Sequence, residues 1–187
     1  MSQRELLIHV IHVLESASIP YMVTGSTVSS LQGRPRSTHD IDVVVGILPS
    51  KIAAIIAGFP GPRFYVDEGA IHDAIAHFEM FNVLDSESGD KVDFWILKPD
   101  AFEQSMFRRR EKQDWSGATM YVSQPEDTIL SKLRWAKMCG GSEKQMSDCR
   151  SVYEVNLPRL NIAYMKDWAG ELGVVDLLER IEHEVQK

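Results

Sequence analysis

"VTGSTVSSLQGRPRSTHDIDVVVG", residues 23 to 46, decides the fold. It reads as strand, turn, short helix, basic loop and second strand. The second strand is β-branched and apolar, as a buried strand is, yet it opens on Asp40 and Asp42. Side chains alternate faces along a strand, so the two carboxylates share one face while Ile41 points into the core. Like charges so close repel, and one would take up a proton unless a cation meets them. The sequence therefore poses one question: what that cation is. A solvated strand end is the plain alternative.

Three neighbours favour the cation. Gly25 and Ser26 lie between strand and helix, where a glycine lets backbone approach a phosphate and a helix N-terminus favours anions. Arg34 and Arg36 sit in the loop before the acids, within reach of phosphate oxygens. Asp93, in "KVDFWIL", stands among apolar residues on a later strand and needs a partner if buried. Hard oxygen ligands of this kind suit Mg²⁺, or Mn²⁺, which keeps its waters and takes substrate phosphates as further ligands.

Outward from this core, residues 2 to 17 read as a helix, with Ser2 and Glu5 as a capping box. Gly33 stops the "STVSSLQG" helix. "SKIAAIIAGF" is a short helix with Ser50 as its expected cap. "RFYVD" reads as a strand and "EGAIHDAIAHF" as a helix. "FEMFNVLD" and "KVDFWIL" form a hairpin through "SESGD". "PDAFEQSMFRRR" is a helix and "ATMYVS" a last strand. From residue 124 the pattern is helical throughout: "QPEDTILSKLRWAKMCGG" opens on Pro and acids and closes on Gly-Gly. Ser142 and Gln145 cap the next helix, and two more follow. The expected fold class is α+β: a core over residues 1–123, then a helical region, 124–187, packing on it.

The combination "GS…GRPRSTHDIDVVV", followed by a hairpin strand with "VDF", resembles the nucleotidyltransferase superfamily of DNA polymerase β and kanamycin nucleotidyltransferase. That resemblance implies a mixed sheet flanked by helices and a C-terminal helical bundle. It implies that Gly25 and Ser26 cradle a nucleoside triphosphate, and that Asp40, Asp42 and Asp93 hold two Mg²⁺ ions and act in catalysis. The later half, "PEDTILSKLRWAK…SEKQMSDC", is similar to the AbiEii and MenT-type toxin branch. There Lys132 would contact nucleotide phosphate, and Asp148 would support the site or the acceptor. Arg36 is a further candidate for phosphate contact, or a loop arginine paired to a surface acid. The implied reaction is transfer of NMP from NTP to RNA or tRNA, a protein side chain or a small molecule, in a bacterial toxin–antitoxin setting with a cognate antitoxin. A non-catalytic nucleotide-binding or antitoxin-like module of the same fold is the rival; the intact acid triad speaks against it.

Composition sets the bounds. The 187 residues are 44% hydrophobic and 25% charged, ordinary for a globular protein. A net charge of −7 argues against a surface that grips nucleic acid non-specifically. No apolar run approaches the ~20 residues of a membrane span, and "MSQRELLIHV" lacks signal-peptide character. The two cysteines, Cys139 and Cys149, fit a reducing cytoplasm and are expected to be buried apolar residues. "RRREK", residues 108 to 112, is expected to be a solvated helix end rather than a polyanion site. Strand parity puts His39 opposite the acids. His9 and His12 share a helix with no metal-like partner. Trp95 and Trp135 are expected in core or seam. Asp90 belongs to the hairpin turn.

Overall fold

A computed structural model describes residues 1–38, 40–115 and 117–185. The expectation for His39 lies outside the described residues. The opening helix, α1 (Gln3–Ser16), carries the full Ser2–Glu5 capping box and buries Leu6, Leu7, Val10, Ile11 and Leu14. Then come β1 (Tyr21–Thr24), α2 (Gly25–Gln32) and β2 (Asp40–Val45), in the order read from the sequence.

The chain divides into two compact units, Met1–Thr24 with His39–Val122, and Gly25–Thr38 with Ser123–Lys187. In the first unit β2 is followed by α3 (Ile52–Gly58), β3 (Phe64–Tyr65), α4 (Glu68–His77), β4 (Met80–Asp85), β5 (Lys91–Ile96), α5 (Ala101–Arg109), β6 (Glu111–Trp115) and β7 (Ala118–Val122). Among the described residues the strands form one seven-stranded sheet, ordered β3-β4-β5-β2-β1-β7-β6. It is mixed: β2 pairs β5 and β1 pairs β7 in parallel, and the other neighbours are antiparallel. Val43, Val45, Val92 and Phe94 are buried, and Phe94 stacks on its register partner Phe81 with ring centroids 4.9 Å apart.

Some local expectations change. Ser50 does not cap α3, because it lies inside a 3₁₀ turn, Pro49–Lys51, and α3 starts without a side-chain cap. Pro49 suits the first turn of a helix, so the turn begins there. The basic run is a helix end only in part. Arg108 and Arg109 close α5, but Glu111 and Lys112 begin β6, an edge strand that the sequence reading passed over. The Arg110 guanidinium lies over the rings of Phe107 and Tyr121, 4.1 and 5.2 Å from their centroids.

The second unit is helical: α2, α6 (Pro125–Met138), α7 (Glu143–Asn156), α8 (Ile162–Leu172) and α9 (Val175–Val185). α7 packs on α6, α2 and α9. Ile129, Leu133 and Ala136 of α6 are fully buried, as their spacing implies. The acids of "PED" serve this packing: Glu126 accepts from the Asn161 amide at 2.9 Å, and Asp127 from the Tyr164 hydroxyl at 2.6 Å. Cys149 is buried, and burial pushes its thiol up to about 12. Cys139, at the end of α6, is exposed, contrary to expectation.

Gly33 sits where α2 meets α7. A Cβ there would lie 2.6 Å from Ser151 Oγ, 2.9 Å from Ser29 O and 3.1 Å from Val152 N. Two of those atoms are backbone and cannot swing away. Gly33→Ala is therefore expected to destabilise the protein by about 1–3 kcal/mol. The check is a lower urea midpoint with an unchanged denaturant slope.

No helix among the described residues is long and apolar enough to cross a membrane.

Candidate active site

The parallel register of β2 and β5 builds the acidic face. Asp40 is level with Lys91, Asp42 with Asp93, and Val44 with Trp95. Residues level in register point to the same side of a sheet. The row through Asp42 continues outward to Thr24 on β1 and Asn82 on β4. Four neighbouring strands thus place Asn82, Asp93, Asp42 and Thr24 side by side, with Asp40 one step along the same face.

Lys91 sets a cation beside these acids. Its Nζ donates to Asp93 Oδ2 at 2.6 Å. That hydrogen bond raises the lysine pKa; burial opposes it, and the charges of Asp93, Asp40 and Asp42 add to it. Asp42 Oδ1 accepts from the Trp95 indole N–H at 3.2 Å, so Trp95 faces the acids rather than the core. Asp93 is only 7% exposed, and its Oδ1 is buried without a hydrogen-bond partner among the described residues. Such an oxygen is costly unless a ligand, water or ion meets it.

The donor set fits a hard divalent cation: carboxylates on one face, one buried oxygen open. The acids do not yet close on one point, since among the described residues no three His, Cys, Asp or Glu side chains group as a metal site. Lys91 holds one oxygen of Asp93 that such an ion would use. The sequence reading missed Lys91, although its position two residues before Asp93 on a strand puts both on one face.

In the second unit the charges are organised around Asp148. Arg36 grips it with two hydrogen bonds, Nε to Oδ1 at 2.8 Å and Nη2 to Oδ2 at 2.7 Å. Lys132 Nζ reaches Oδ2 at 2.9 Å, and Ser29 Oγ donates to the same oxygen at 3.3 Å. Lys132 is 5% exposed and also donates to Gln145 Oε1 at 3.1 Å; it does not snorkel to solvent. Burial alone would raise the Asp148 pKa, but hydrogen bonds from Arg36 and Lys132, with their charges, bring it down to about 2.

Arg36 also donates from Nη2 to Ser26 Oγ at 3.1 Å, which ties the loop to the start of α2. Ser30 fixes the arginine's backbone, accepting from its N–H and donating to its carbonyl, both at 2.9 Å. Gly25, with φ +69°, begins α2 in the left-handed region that glycine adopts at no steric cost. Arg34 is the loop arginine paired to a surface acid, Glu154, at 2.9 and 3.0 Å. Ser29 was missed from the sequence, where nothing distinguishes it from other polar helix residues, and Gln145 was read only as a capping residue.

Asp90 remains in the hairpin turn, its amide donating to Ser88 Oγ at 3.2 Å. Trp135 is 46% exposed, so it is not a buried core residue. His9 stacks on Phe64 and reaches the Gly58 carbonyl at 2.8 Å, a packing role.

No family model and no curated protein sequence matches the chain. Solved structures do. The crystal structure of ANT(2")-Ia in complex with adenylyl-2"-tobramycin matches with TM-score 0.61 at 13% identity, covering 92% of this chain and 97% of that one. That of the lincosamide antibiotic adenylyltransferase LnuA, lincomycin-bound, matches with TM-score 0.57 at 9% identity, covering 83% and 98%. An antigenic nucleotidyltransferase-like protein from Paracoccidioides brasiliensis matches with TM-score 0.52 at 15% identity, covering 97% and 94%. The chain has the fold of the nucleotidyltransferases: a mixed sheet flanked by helices.

Proposed function

We propose that the protein transfers NMP from an NTP to an acceptor hydroxyl, with Mg²⁺ or Mn²⁺ held by Asp40, Asp42 and Asp93. The observation that carries this reading is the Asp42–Asp93 register pair, with Asp40 on the same face, in a nucleotidyltransferase fold. A metal bound there would neutralise charge on the phosphates. The acceptor oxygen forms a bond to the α-phosphorus, and the bond from that phosphorus to the pyrophosphate oxygen breaks. The Asp93 carboxylate takes the acceptor's proton. Gly25, Ser26 and the N-terminus of α2 bind the triphosphate. Arg36 and Lys132, both held on Asp148, offset phosphate charge.

Two sets of acceptors have support. ANT(2")-Ia and LnuA are described with antibiotics, which points to a small molecule. The likeness of "PEDTILSKLRWAK…SEKQMSDC" to toxin nucleotidyltransferases points to RNA or tRNA, with a cognate antitoxin as partner. Incubation with each α-³²P-labelled NTP and Mg²⁺ or Mn²⁺, against bacterial RNA, protein and small-molecule fractions, decides between them. The expected result is label in one fraction and release of pyrophosphate. Absence of labelling with every NTP and every fraction would overturn the reading.

A further inference from the structure

The acid face already has a cation, and it belongs to the chain. Lys91 Nζ sits 2.6 Å from Asp93 Oδ2, and its Cα is level with that of Asp40. Its side chain is 45% exposed, whereas Asp93 is buried. A lysine head on a flexible, half-exposed stem can leave for solvent; the aspartate cannot follow. Asp93 is also half satisfied, one oxygen on Lys91 and the other buried with no partner among the described residues. This arrangement sets an ammonium beside three neighbouring carboxylates and leaves one Asp93 oxygen unpartnered next to it.

Resting on the reading of Asp40, Asp42 and Asp93 as the metal-holding face, we propose that Lys91 is a tethered competitor of the divalent ion. The ammonium must leave Asp93 before an ion can use Oδ2. A free ion in dilute solution competes poorly against a tethered charge. An ion carried on a triphosphate brings further oxygen ligands with it and displaces the lysine. The site thus discriminates against bare metal and admits the metal–nucleotide complex, so nucleotide and ion enter together.

Isothermal titration with Mn²⁺ alone tests this. Lys91→Met keeps the stem and removes the charge; it is expected to bind Mn²⁺ at least about tenfold tighter than the wild type, since a unit charge next to the site is lost. Lys91→Arg keeps the charge and should stay as weak as the wild type. Thermal unfolding gives a second readout: Mn²⁺ should raise the Tm of Lys91→Met more than that of the wild type, because the tighter ligand stabilises more. Lys91→Gln serves if the methionine variant does not fold. Equal or weaker Mn²⁺ binding by the charge-free variant, or tighter binding by Lys91→Arg as well, overturns the proposal. Adding Asp42→Asn to Lys91→Met separates the two levels. If Mn²⁺ binding survives that change, the acid face is not the metal site and the functional reading fails. If binding depends on Asp42 but does not respond to Lys91, only the competitor role fails.

Discussion

Asp42→Ala is expected to abolish NMP transfer, by at least about 10³-fold, while the protein stays folded. Asp42 is in the middle of the polar row, level with Asp93 on one side and Thr24 on the other. Its removal takes a carboxylate from the proposed metal-holding face and an acceptor from the Trp95 indole. The fold is expected to survive, because a carboxylate crowded by Asp40 and Asp93 contributes repulsion as well as its hydrogen bond to Trp95. Labelled-NTP transfer measured beside circular dichroism and Tm separates the two effects. A variant with near-wild-type turnover would reject the site. A variant that is inactive only because it is unfolded would show a collapsed Tm instead.

The second large effect concerns stability. Asp148→Ala removes a carboxylate shared by Arg36 and Lys132, and Lys132 is buried. Breaking a buried ion pair from one side leaves an uncompensated charge and costs about 3–5 kcal/mol. In a chain of this size each kcal/mol lowers Tm by about 2–4 °C. Pairing the change with Lys132→Met is expected to restore part of the loss, because the stranded ammonium goes with it. The same carboxylate makes stability pH-dependent. Its ordinary value of 3.8 falls to about 2 in the folded protein. The ion-pair contribution, about 2 kcal/mol, is therefore complete above about pH 4 and disappears as pH drops through about 2. Asp148→Asn should flatten that acid limb in urea titrations between pH 2 and 5. An unchanged limb would mean that Asp148 does not carry it.

The elements that position the acids were legible because each rests on a local rule. Alternation placed Asp40 and Asp42 on one face, Gly33 ended α2, and "SESGD" closed the hairpin that brings Asp93 forward. Lys91 was legible by the same parity and was passed over, because attention to carboxylates asked for an external cation. The Arg36–Asp148–Lys132 cluster was not legible as a cluster. Its members are 112 and 16 residues from the shared aspartate, and only packing of α2, α6 and α7 unites them. The sequence supplied Lys132 and Asp148 through resemblance, and Arg36 as a choice between phosphate and surface acid. The acid it pairs with, Asp148, is buried rather than on the surface. Edge strand β6 was hidden by its composition: "EKQDW" has no apolar alternation, because neither face of it enters the core deeply.

That edge has a consequence for how the protein behaves at high concentration. The sheet ends on β3, only two residues long, and on β6, where Lys112 and Asp114 are exposed. One rim is too brief to template a foreign strand, and the other greets any approaching copy with charge of both signs. The molecule should accordingly resist fibril seeding and remain dispersed when crowded.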